Sequence, residues 1–186
     1  MIIKQGRLDG VFEIILEPRI DSRGFFMRTY DVEFFKKNGI HKKWVQENHS
    51  RSERKHIIRG FHFQFPPFAE AKLVRTIKGS VLDVFLDLRK YSSTFGEWDS
   101  LELTENNNKL VFIPQGVAHA FCTLTDISEV LYKVDSCYAP EAEDGIVWND
   151  ESLKIKWPTS KPILSEKDIS LMTLETFIKE YQGLEV

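Results

Sequence analysis

The chain has 186 residues and a formal charge of −3, so it is long enough to bury a core, and its charge balance argues against a general nucleic-acid binder. A small anionic ligand needs only a few local cations and remains compatible with this composition. No run of about 18 apolar residues is present, and charges come too early at the N-terminus for a signal peptide. We therefore expect a soluble, cytoplasmic protein that does not enter a membrane.

The first 45 residues predict two strands followed by a short helix. Apolar runs at 1–3 and 11–16, separated by a turn sequence, are compatible with a β-hairpin. Residues 31–38 predict a short helix, with Asp31 as its N-cap and Gly39 at its end.

From Trp44 onward, strand-length apolar runs follow one another at short, even spacing with turn residues between them. The runs lie at 72–77, 81–88, 98–103, 109–113, 119–124 and 129–134. Such spacing is typical of an all-β barrel or sandwich. Near the end, residues 171–181 carry apolar side chains at helical spacing and predict a packed helix.

We expect these elements to form a single domain over residues 1–186. Its parts are N-terminal strands and a short helix at 1–45, a core barrel at 46–150, and a C-terminal arm with a helix at 151–186. Cys122 and Cys137 are the only cysteines, so no disulfide framework is expected.

Chemistry-bearing residues are concentrated between residues 46 and 75. If residues 58–64 form a strand, alternation places His62 on one face and Arg59 on the other. A lone histidine on an apolar face is more often a hydrogen-bonded core residue than a functional one. Here Arg59 and Lys72 are near in sequence, and His119 lies in a second apolar stretch. One cavity holding these groups would suit proton abstraction beside a polarised carbonyl.

Two segments, G-F-H-F-Q at 60–64 and P-Q-G-V-A-H at 114–119, resemble the signatures of the cupin fold, a jelly-roll-like barrel also called a double-stranded β-helix. The resemblance implies an all-β protein with a few short helices. Most metal cupins bind their ion with an H-x-H pair, a downstream glutamate and a further histidine. Gln64 stands in place of the second histidine here, so we expect neither a metal nor another cofactor. A metal-dependent oxygenase is an alternative.

Longer motifs are more specific, and they occur in one order along most of the chain. They are Q-x-N-x-S-x-S (46–52), I-R-G-F-H-F-Q (58–64), A-K-L-V-R (71–75), D-L-R-K-Y-S-S-T-F-G-E-W (87–98), I-P-Q-G-V-A-H-A-F (113–121), L-Y-K (131–133), Y-A-P-E-A-E-D-G-I-V-W-N-D (138–150) and L-S-E-K-D (164–168). Together these motifs resemble the dTDP-4-dehydrorhamnose 3,5-epimerases. The resemblance implies a cofactor-free isomerase that inverts C3 and C5 of dTDP-4-dehydro-6-deoxyglucose through an enolate. The product would be dTDP-4-dehydro-L-rhamnose, a precursor for deoxysugar and polysaccharide synthesis.

The resemblance also implies roles for particular residues. His62 would be the base, Asp168 the carboxylate that orients it, and Tyr132 the acid on the opposite face. Lys72 would stabilise the enolate oxygen. Residues implied to bind the nucleotide sugar are Arg23, Gln46, Asn48, Arg59, His119, Tyr138 and Lys167. In the family the N-terminal segment contributes to the site of a neighbouring subunit, so a homodimer is expected.

Taken singly, two of these residues have simpler interpretations: Asp168 as a surface or helix-capping residue, and Tyr132 as a strand tyrosine with a buried ring.

One position departs from the family pattern, because Arg28 stands where an acid is expected on the nucleotide side of the pocket. This change leaves the nucleobase open. The alternatives are a 3-only or 5-only epimerase acting on a GDP- or CDP-linked 4-keto sugar, and a non-catalytic cupin that binds a sugar nucleotide.

Overall fold

The computed structural model describes residues 1–186 and consists mainly of antiparallel strands. The strands are β1 (Ile2–Gln5), β2 (Phe12–Ile15), β3 (Arg19–Asp21), β4 (Gly24–Phe26), β5 (Gln46–Ser52), β6 (Ile58–Gln64), β7 (Lys72–Lys78), β8 (Ser80–Asp87), β9 (Trp98–Thr104), β10 (Lys109–Ile113), β11 (Val117–Thr123), β12 (Ser128–Val134) and β13 (Glu143–Gly145). The helices are α1 (Val32–Lys37), α2 (Glu166–Ile169) and α3 (Leu174–Tyr181). None of these helices is both long enough and apolar enough to cross a membrane.

Two sheets make up the body of the protein. Six strands pair in the order β1-β2-β10-β7-β12-β5, and five pair in the order β13-β6-β11-β8-β9, while β3 and β4 form a separate hairpin. From β5 to β8, and again from β10 to β13, successive strands belong to alternate sheets. The chain therefore winds back and forth between the sheets, which confirms the predicted all-β cupin fold.

Apolar side chains from both sheets fill one part of the space between them. Val74 and Val130 of the larger sheet pack in one cluster with Val81, Phe85 and Val117 of the smaller sheet. Side chains of the opposite parity face outward, where α1 covers the larger sheet and α3 covers the smaller one. The remaining part of the interior is lined mainly by polar side chains.

The N-terminal predictions are confirmed. Strands β1 and β2 pair antiparallel, with Ile2 opposite Ile15, and β2 continues the pairing to β10 of the larger sheet. Helix α1 begins directly after Asp31, whose Oδ1 accepts a hydrogen bond from the backbone N–H of Phe34 at 3.1 Å.

The C-terminal helix is confirmed, but it begins at Leu174, later than predicted. The backbone N–H of Val147 donates to the carbonyl of Met172 at 2.8 Å, which holds the preceding residues in an extended conformation. Thr173 then caps the helix. Pairing between distant segments therefore overrides the local helical spacing at the start of α3.

The side chain of Phe177 should anchor α3 to the smaller sheet. It is fully buried, with its ring centroid 5.6 Å from that of Phe63, whereas the adjacent Ile178 is 40% exposed. We expect Phe177→Ala to lower the free energy of unfolding by about 3 to 5 kcal/mol, because apolar contacts are lost and a cavity remains. The control Ile178→Ala should lower it by less than about 1 kcal/mol. Urea denaturation measures both, and equal losses would contradict this anchoring role.

Candidate active site

A polar cavity of about 470 Å³ lies between the two sheets. Strands β6 and β11 of the smaller sheet form one wall, and β5, β7 and β12 of the larger sheet form the other. Residues in and just before α2 complete the lining. The predicted site residues that line this cavity are Arg59, His62, Lys72, His119, Tyr132, Lys167 and Asp168.

A bulge in β6 brings Arg59 and His62 to the same cavity. His62 is opposite His119 of β11, but Arg59 is opposite Phe121, so β6 has one more residue than β11 in this interval. The simple alternation predicted for this strand, with Arg59 and His62 on opposite faces, is therefore wrong. The bulge includes Gly60, at φ +100°, where a Cβ atom would lie 2.4 Å from the carbonyl oxygen of His119.

His62 is held by a buried carboxylate from the C-terminal arm. Its Nε2 lies 2.6 Å from Oδ1 of Asp168, which is 3% exposed. Asp168 belongs to α2, and its backbone N–H donates to Oγ of the capping Ser165 at 3.1 Å. His62 and Asp168 are far apart in sequence, and they become neighbours only when the C-terminal arm folds against β6.

The state of Asp168 determines which nitrogen of His62 is free. Burial alone would raise the pKa of this carboxyl, but hydrogen bonds from His62, Ser165 and the backbone of Gly60 outweigh burial and lower it. An ionised carboxylate only accepts hydrogen bonds, so Nε2 of His62 carries the proton that it donates. The remaining nitrogen, Nδ1, has no partner in the chain and is not sealed from solvent.

A second histidine–carboxylate pair lies on the same wall. Nε2 of His119 is 2.7 Å from Oδ1 of Asp83, and both residues are buried. His119 is directly opposite His62 across the β6–β11 pairing. Sequence reasoning missed Asp83, although an acid inside the apolar run of β8 is a signal that could have identified it.

The facing wall carries an ammonium and a phenol. Lys72 of β7 is buried and forms an ion pair with Oε1 of Glu70 at 3.0 Å. Tyr132 of β12 lies close by, because Val134 of the same strand is opposite Lys72. Burial raises the pKa of the Tyr132 phenol above its usual value near 10, so the hydroxyl is protonated at neutral pH and can donate.

Gln64, at the position of the second histidine of metal cupins, has a structural hydrogen-bonding role. Its Nε2 donates to the carbonyl of Phe68 at 2.9 Å, and its Oε1 accepts from the backbone N–H of Ala139 at 2.7 Å. The structure contains no group of three or more histidine, cysteine or acidic side chains arranged to hold a metal ion. The two cavity histidines each have a separate carboxylate partner instead.

Four of the predicted substrate-binding residues form a network at the edge of the cavity that is organised by Glu143. The Tyr138 hydroxyl donates to Oε2 of Glu143 at 2.7 Å, and Lys167 forms an ion pair with the same oxygen. The backbone N–H of Tyr138 donates to Gln46 at 3.2 Å, and Gln46 in turn donates to Asn48 at 3.1 Å. Sequence reasoning identified every member except Glu143.

Burial opposes ionisation of Glu143, but hydrogen bonds from Lys167 and Tyr138 lower its pKa below the ordinary value. The resulting carboxylate joins β13 to α2 and to the exposed ring of Tyr138. Of the predicted substrate-binding residues, Gln46, Asn48 and Tyr138 therefore lie next to the cavity rather than in its lining.

Arg23 and Arg28 lie outside the cavity in this single chain. Arg23 is at the turn of the β3–β4 hairpin, exposed to solvent and paired with Asp21 at 2.6 Å. Arg28 is also exposed and pairs with Asp31, the N-cap of α1, at 3.0 Å. Arg28 therefore changes the charge of the N-terminal segment without altering the histidine, lysine and tyrosine groups described above.

Comparison with known proteins points to one family. A sequence model described as dTDP-4-dehydrorhamnose 3,5-epimerase matches residues 5–176. The protein of that name from Escherichia coli K12 is 45% identical over 170 residues, covering 89% of this chain and 91% of that protein. The crystal structure of the Bacillus anthracis protein of the same name, with TDP and PPi bound, has a TM-score of 0.91 at 38% identity and covers 93% of this chain and 99% of that one.

A third similar protein was crystallised with a sugar nucleotide. It is a dTDP-6-deoxy-D-glucose-3,5-epimerase from Legionella pneumophila in complex with dTDP-4-keto-L-rhamnose. The TM-score is 0.92 at 33% identity, and the match covers 100% of this chain and 98% of that one. Similarity of this kind extends over the cavity-lining strands and the C-terminal arm alike.

The pair formed by His62 and Asp168 should stabilise the folded protein in a pH-dependent way. The folded-state pKa of Asp168 lies below the ordinary 3.8, so its stabilising effect is complete above that value and is lost as the pH falls through the depressed pKa. We expect Asp168→Asn to lower the free energy of unfolding by about 1 to 3 kcal/mol at pH 7. The difference from wild type should shrink below about pH 4.

Urea denaturation at a series of pH values measures this difference. Glu166→Gln is the matched control, because Glu166 is an exposed carboxylate in the same short helix. Its effect should be small, within about 0.5 kcal/mol of wild type. An Asp168→Asn deficit that stays constant down to pH 2 would contradict the linkage.

Proposed function

We propose, since this chain belongs to the dTDP-4-dehydrorhamnose 3,5-epimerase family, that it converts dTDP-4-dehydro-6-deoxyglucose into dTDP-4-dehydro-L-rhamnose. The observation that carries the mechanism is the distribution of groups in the cavity. An imidazole with a free nitrogen lies on one wall, while a protonated phenol and an ammonium lie on the facing wall. Inversion at carbon needs a base and an acid on opposite faces of the sugar, and this arrangement supplies both.

His62 is the proposed base, and Nδ1 is its reacting atom. It removes the proton from C3 or C5, the two carbons next to the C4 ketone. The C–H electrons form the carbon–carbon double bond of the enolate, and the carbonyl electrons move to the C4 oxygen. Asp168 keeps Nε2 protonated and stabilises the imidazolium that forms.

Lys72 is the proposed partner of the enolate oxygen. An ammonium held in place beside the C4 oxygen stabilises the developing negative charge by about 3 to 4 kcal/mol. Glu70 holds the side chain of Lys72 in position at 3.0 Å, so little reorganisation is required during the reaction.

Tyr132 is the proposed acid. Its hydroxyl donates a proton to the carbon from the face opposite His62, and the enolate electrons return to re-form the C4 carbonyl. The raised pKa of the phenol keeps it protonated until this step. Solvent then reprotonates the tyrosinate and takes the proton from His62, so the cycle uses only side chains and needs no cofactor.

The diphosphate and nucleotide are proposed to extend from the sugar toward the network of Tyr138, Glu143 and Lys167. Arg59, Lys72 and Lys167 give the cavity a positive lining that suits an anionic ligand. The volume of about 470 Å³ lies within the usual range for small-molecule sites. His119, Gln46 and Asn48 add groups that can bond to neutral oxygens of the ligand.

A homodimer is proposed to complete the site. The β3–β4 hairpin stands apart from both main sheets, and its Ile20, Phe25 and Phe26 are 79%, 69% and 66% exposed. An apolar hairpin of this kind is typical of a segment that packs on another subunit. A second copy could then supply Arg23 to the diphosphate, because the hairpin turn carries that guanidinium away from its own cavity.

The proposed proton transfers predict different outcomes for the base and the acid. Proton NMR in D2O with dTDP-4-dehydro-6-deoxyglucose follows deuterium entry at C3 and C5. His62→Ala should abolish exchange at both carbons, because the proposed mechanism assigns proton removal to Nδ1 of His62 alone. Tyr132→Phe should retain some exchange but lose inversion, because deprotonation survives while delivery from the opposite face does not.

His41→Ala and Tyr91→Phe are matched controls, since both residues are exposed and lie outside the cavity, and both should behave as wild type. Exchange at only one carbon in the wild type would mark a mono-epimerase. Continued exchange in His62→Ala would refute the assigned base. Binding of the sugar nucleotide by wild type without any exchange would favour a non-catalytic cupin.

The shared site predicts complementation between two variants that are each impaired on their own. Arg23→Ala should lose about tenfold to a hundredfold in kcat/KM because a charged phosphate contact is removed. In a mixed dimer with His62→Ala, one site combines an intact His62 with Arg23 from the other subunit. Co-expression with random pairing should therefore restore about one quarter of wild-type activity.

Differently tagged subunits allow the mixed dimer to be purified and assayed. Mixing Arg23→Ala with Lys72→Ala should give the same recovery, since Lys72 belongs to the same chain as His62. Absence of recovery in the purified mixed dimer would show that Arg23 acts within its own subunit, or not at all.

A further inference from the structure

The proposed function gives His119 a contact with the ligand but leaves its buried partner, Asp83, without a role. Asp83 is completely inaccessible and His119 is 8% exposed, so the carboxylate itself cannot contact a ligand in the cavity. Its Oδ1 lies 2.7 Å from Nε2 of His119, within hydrogen-bonding distance, and its Oδ2 is buried without any hydrogen-bond partner. A buried acid oxygen left unpaired is unfavourable, so the interaction with His119 has to compensate for the burial of the whole group.

The sheet places this pair beside the proposed base. His119 is opposite His62 on β6 and opposite Phe85 on β8, and Asp83 lies two residues from Phe85 on the same strand. Side chains of directly opposed residues lie about 5 Å apart, and diagonal neighbours remain within reach of long side chains. His62, His119 and Asp83 therefore form a row across the smaller sheet.

The hydrogen bond to Asp83 determines which atom of His119 faces the cavity. With Nε2 engaged by the carboxyl group of Asp83, Nδ1 is the only ring nitrogen left to face a ligand. It has no partner in the chain and is not sealed from solvent, and His119 lines the cavity. The same relation holds for His62 and Asp168, so two imidazoles present Nδ1 from one wall, each fixed from behind by a carboxylate.

We propose that Asp83 is a positioning residue, which holds His119 by Nε2 and so directs Nδ1 to the sugar of the substrate beside the carbons that His62 deprotonates. This inference rests on the proposed function for the identity of the ligand. The sugar, rather than the nucleotide, is the part concerned, because His119 is the cross-strand neighbour of His62. Asp83 acts through His119 alone and contacts no ligand.

A double-mutant cycle separates this role from a purely structural one. Asp83→Asn should lower kcat/KM for dTDP-4-dehydro-6-deoxyglucose by about tenfold to a hundredfold, the usual range for loss of a charged hydrogen bond. In the His119→Ala background, the same change should have less than about a twofold further effect, because its target is gone. Affinity for TDP, which lacks the sugar, should stay within about twofold of wild type.

Asp87→Asn is the matched control for the loss of a buried carboxylate from β8. Asp87 is equally buried on that strand, but it binds Arg89, at 2.6 Å, rather than a cavity residue. Asp87→Asn should change kcat/KM by the same factor in the wild-type background and in the His119→Ala background. An Asp83→Asn effect that is likewise additive with His119→Ala, or a matching loss of TDP affinity, would overturn the proposal.

Imidazole 15N NMR of the free protein provides a test that needs neither activity nor a folded Asp83 variant. His119→Ala identifies the signals, and wild type should show Nε2 of His119 protonated and hydrogen-bonded. If the Asp83→Asn variant folds, the ring 15N signals of His119 should shift in its spectrum. A wild-type spectrum in which Nε2 of His119 carries no proton would overturn the proposal. If wild type fails to act on the sugar nucleotide, the proposed function falls, while the spectrum still decides the Asp83–His119 relation.

Discussion

The hydrogen bond between His62 and Asp168 joins a strand of the smaller sheet to a helix 106 residues farther along the chain. It can form only when the C-terminal arm is docked on that sheet. The backbone N–H of Ile58 donates to the carbonyl of Ile163 at 3.1 Å, and Val147 bonds to Met172 on the other side of α2. Asp168 therefore sits in a segment that is held by backbone hydrogen bonds on both sides of α2, which explains how a four-residue helix can hold a buried carboxylate.

The path of the chain between the two sheets explains the opposing walls of the cavity. Because successive strands alternate between sheets, residues near in sequence face one another across the interior. His62 on β6 and Lys72 on β7 are separated by a short connection, yet they belong to different walls. An enzyme that removes a proton from one face of a planar intermediate and returns it to the other can use this topology directly.

Much of this architecture could be predicted from local sequence patterns. Strand-length runs, the capping Asp31 and the C-terminal apolar spacing all depend on neighbouring residues, and each identifies an element of the fold. The bulge in β6 depends instead on pairing with β11, so alternation alone placed Arg59 on the wrong face. The start of α3 was also misplaced, because the carbonyl of Met172 accepts a hydrogen bond from the backbone of the distant Val147.

Prediction of the site had a similar limit. Resemblance to a family indicated the residues that line the cavity, including Asp168, whose partner is far away in sequence. It did not reveal the carboxylates that hold those residues, since Asp83 meets His119, and Glu143 meets Lys167, only in the folded structure. Supporting groups of this kind have ordinary sequence contexts, and their partners become apparent only when strands are placed in register.

The division of the interior into an apolar part and a polar part has a consequence for how this protein can change. The polar part contains one buried histidine–carboxylate pair, a second pair whose carboxylate alone is buried, and a buried lysine, which oppose folding more than apolar side chains of similar size would. Replacing such groups by well-packed apolar residues would tend to make the chain more robust to heat while removing its chemistry. Selection for thermal tolerance would therefore have to act on the outer layers, around α1 and α3, where side chains can vary without touching the cavity.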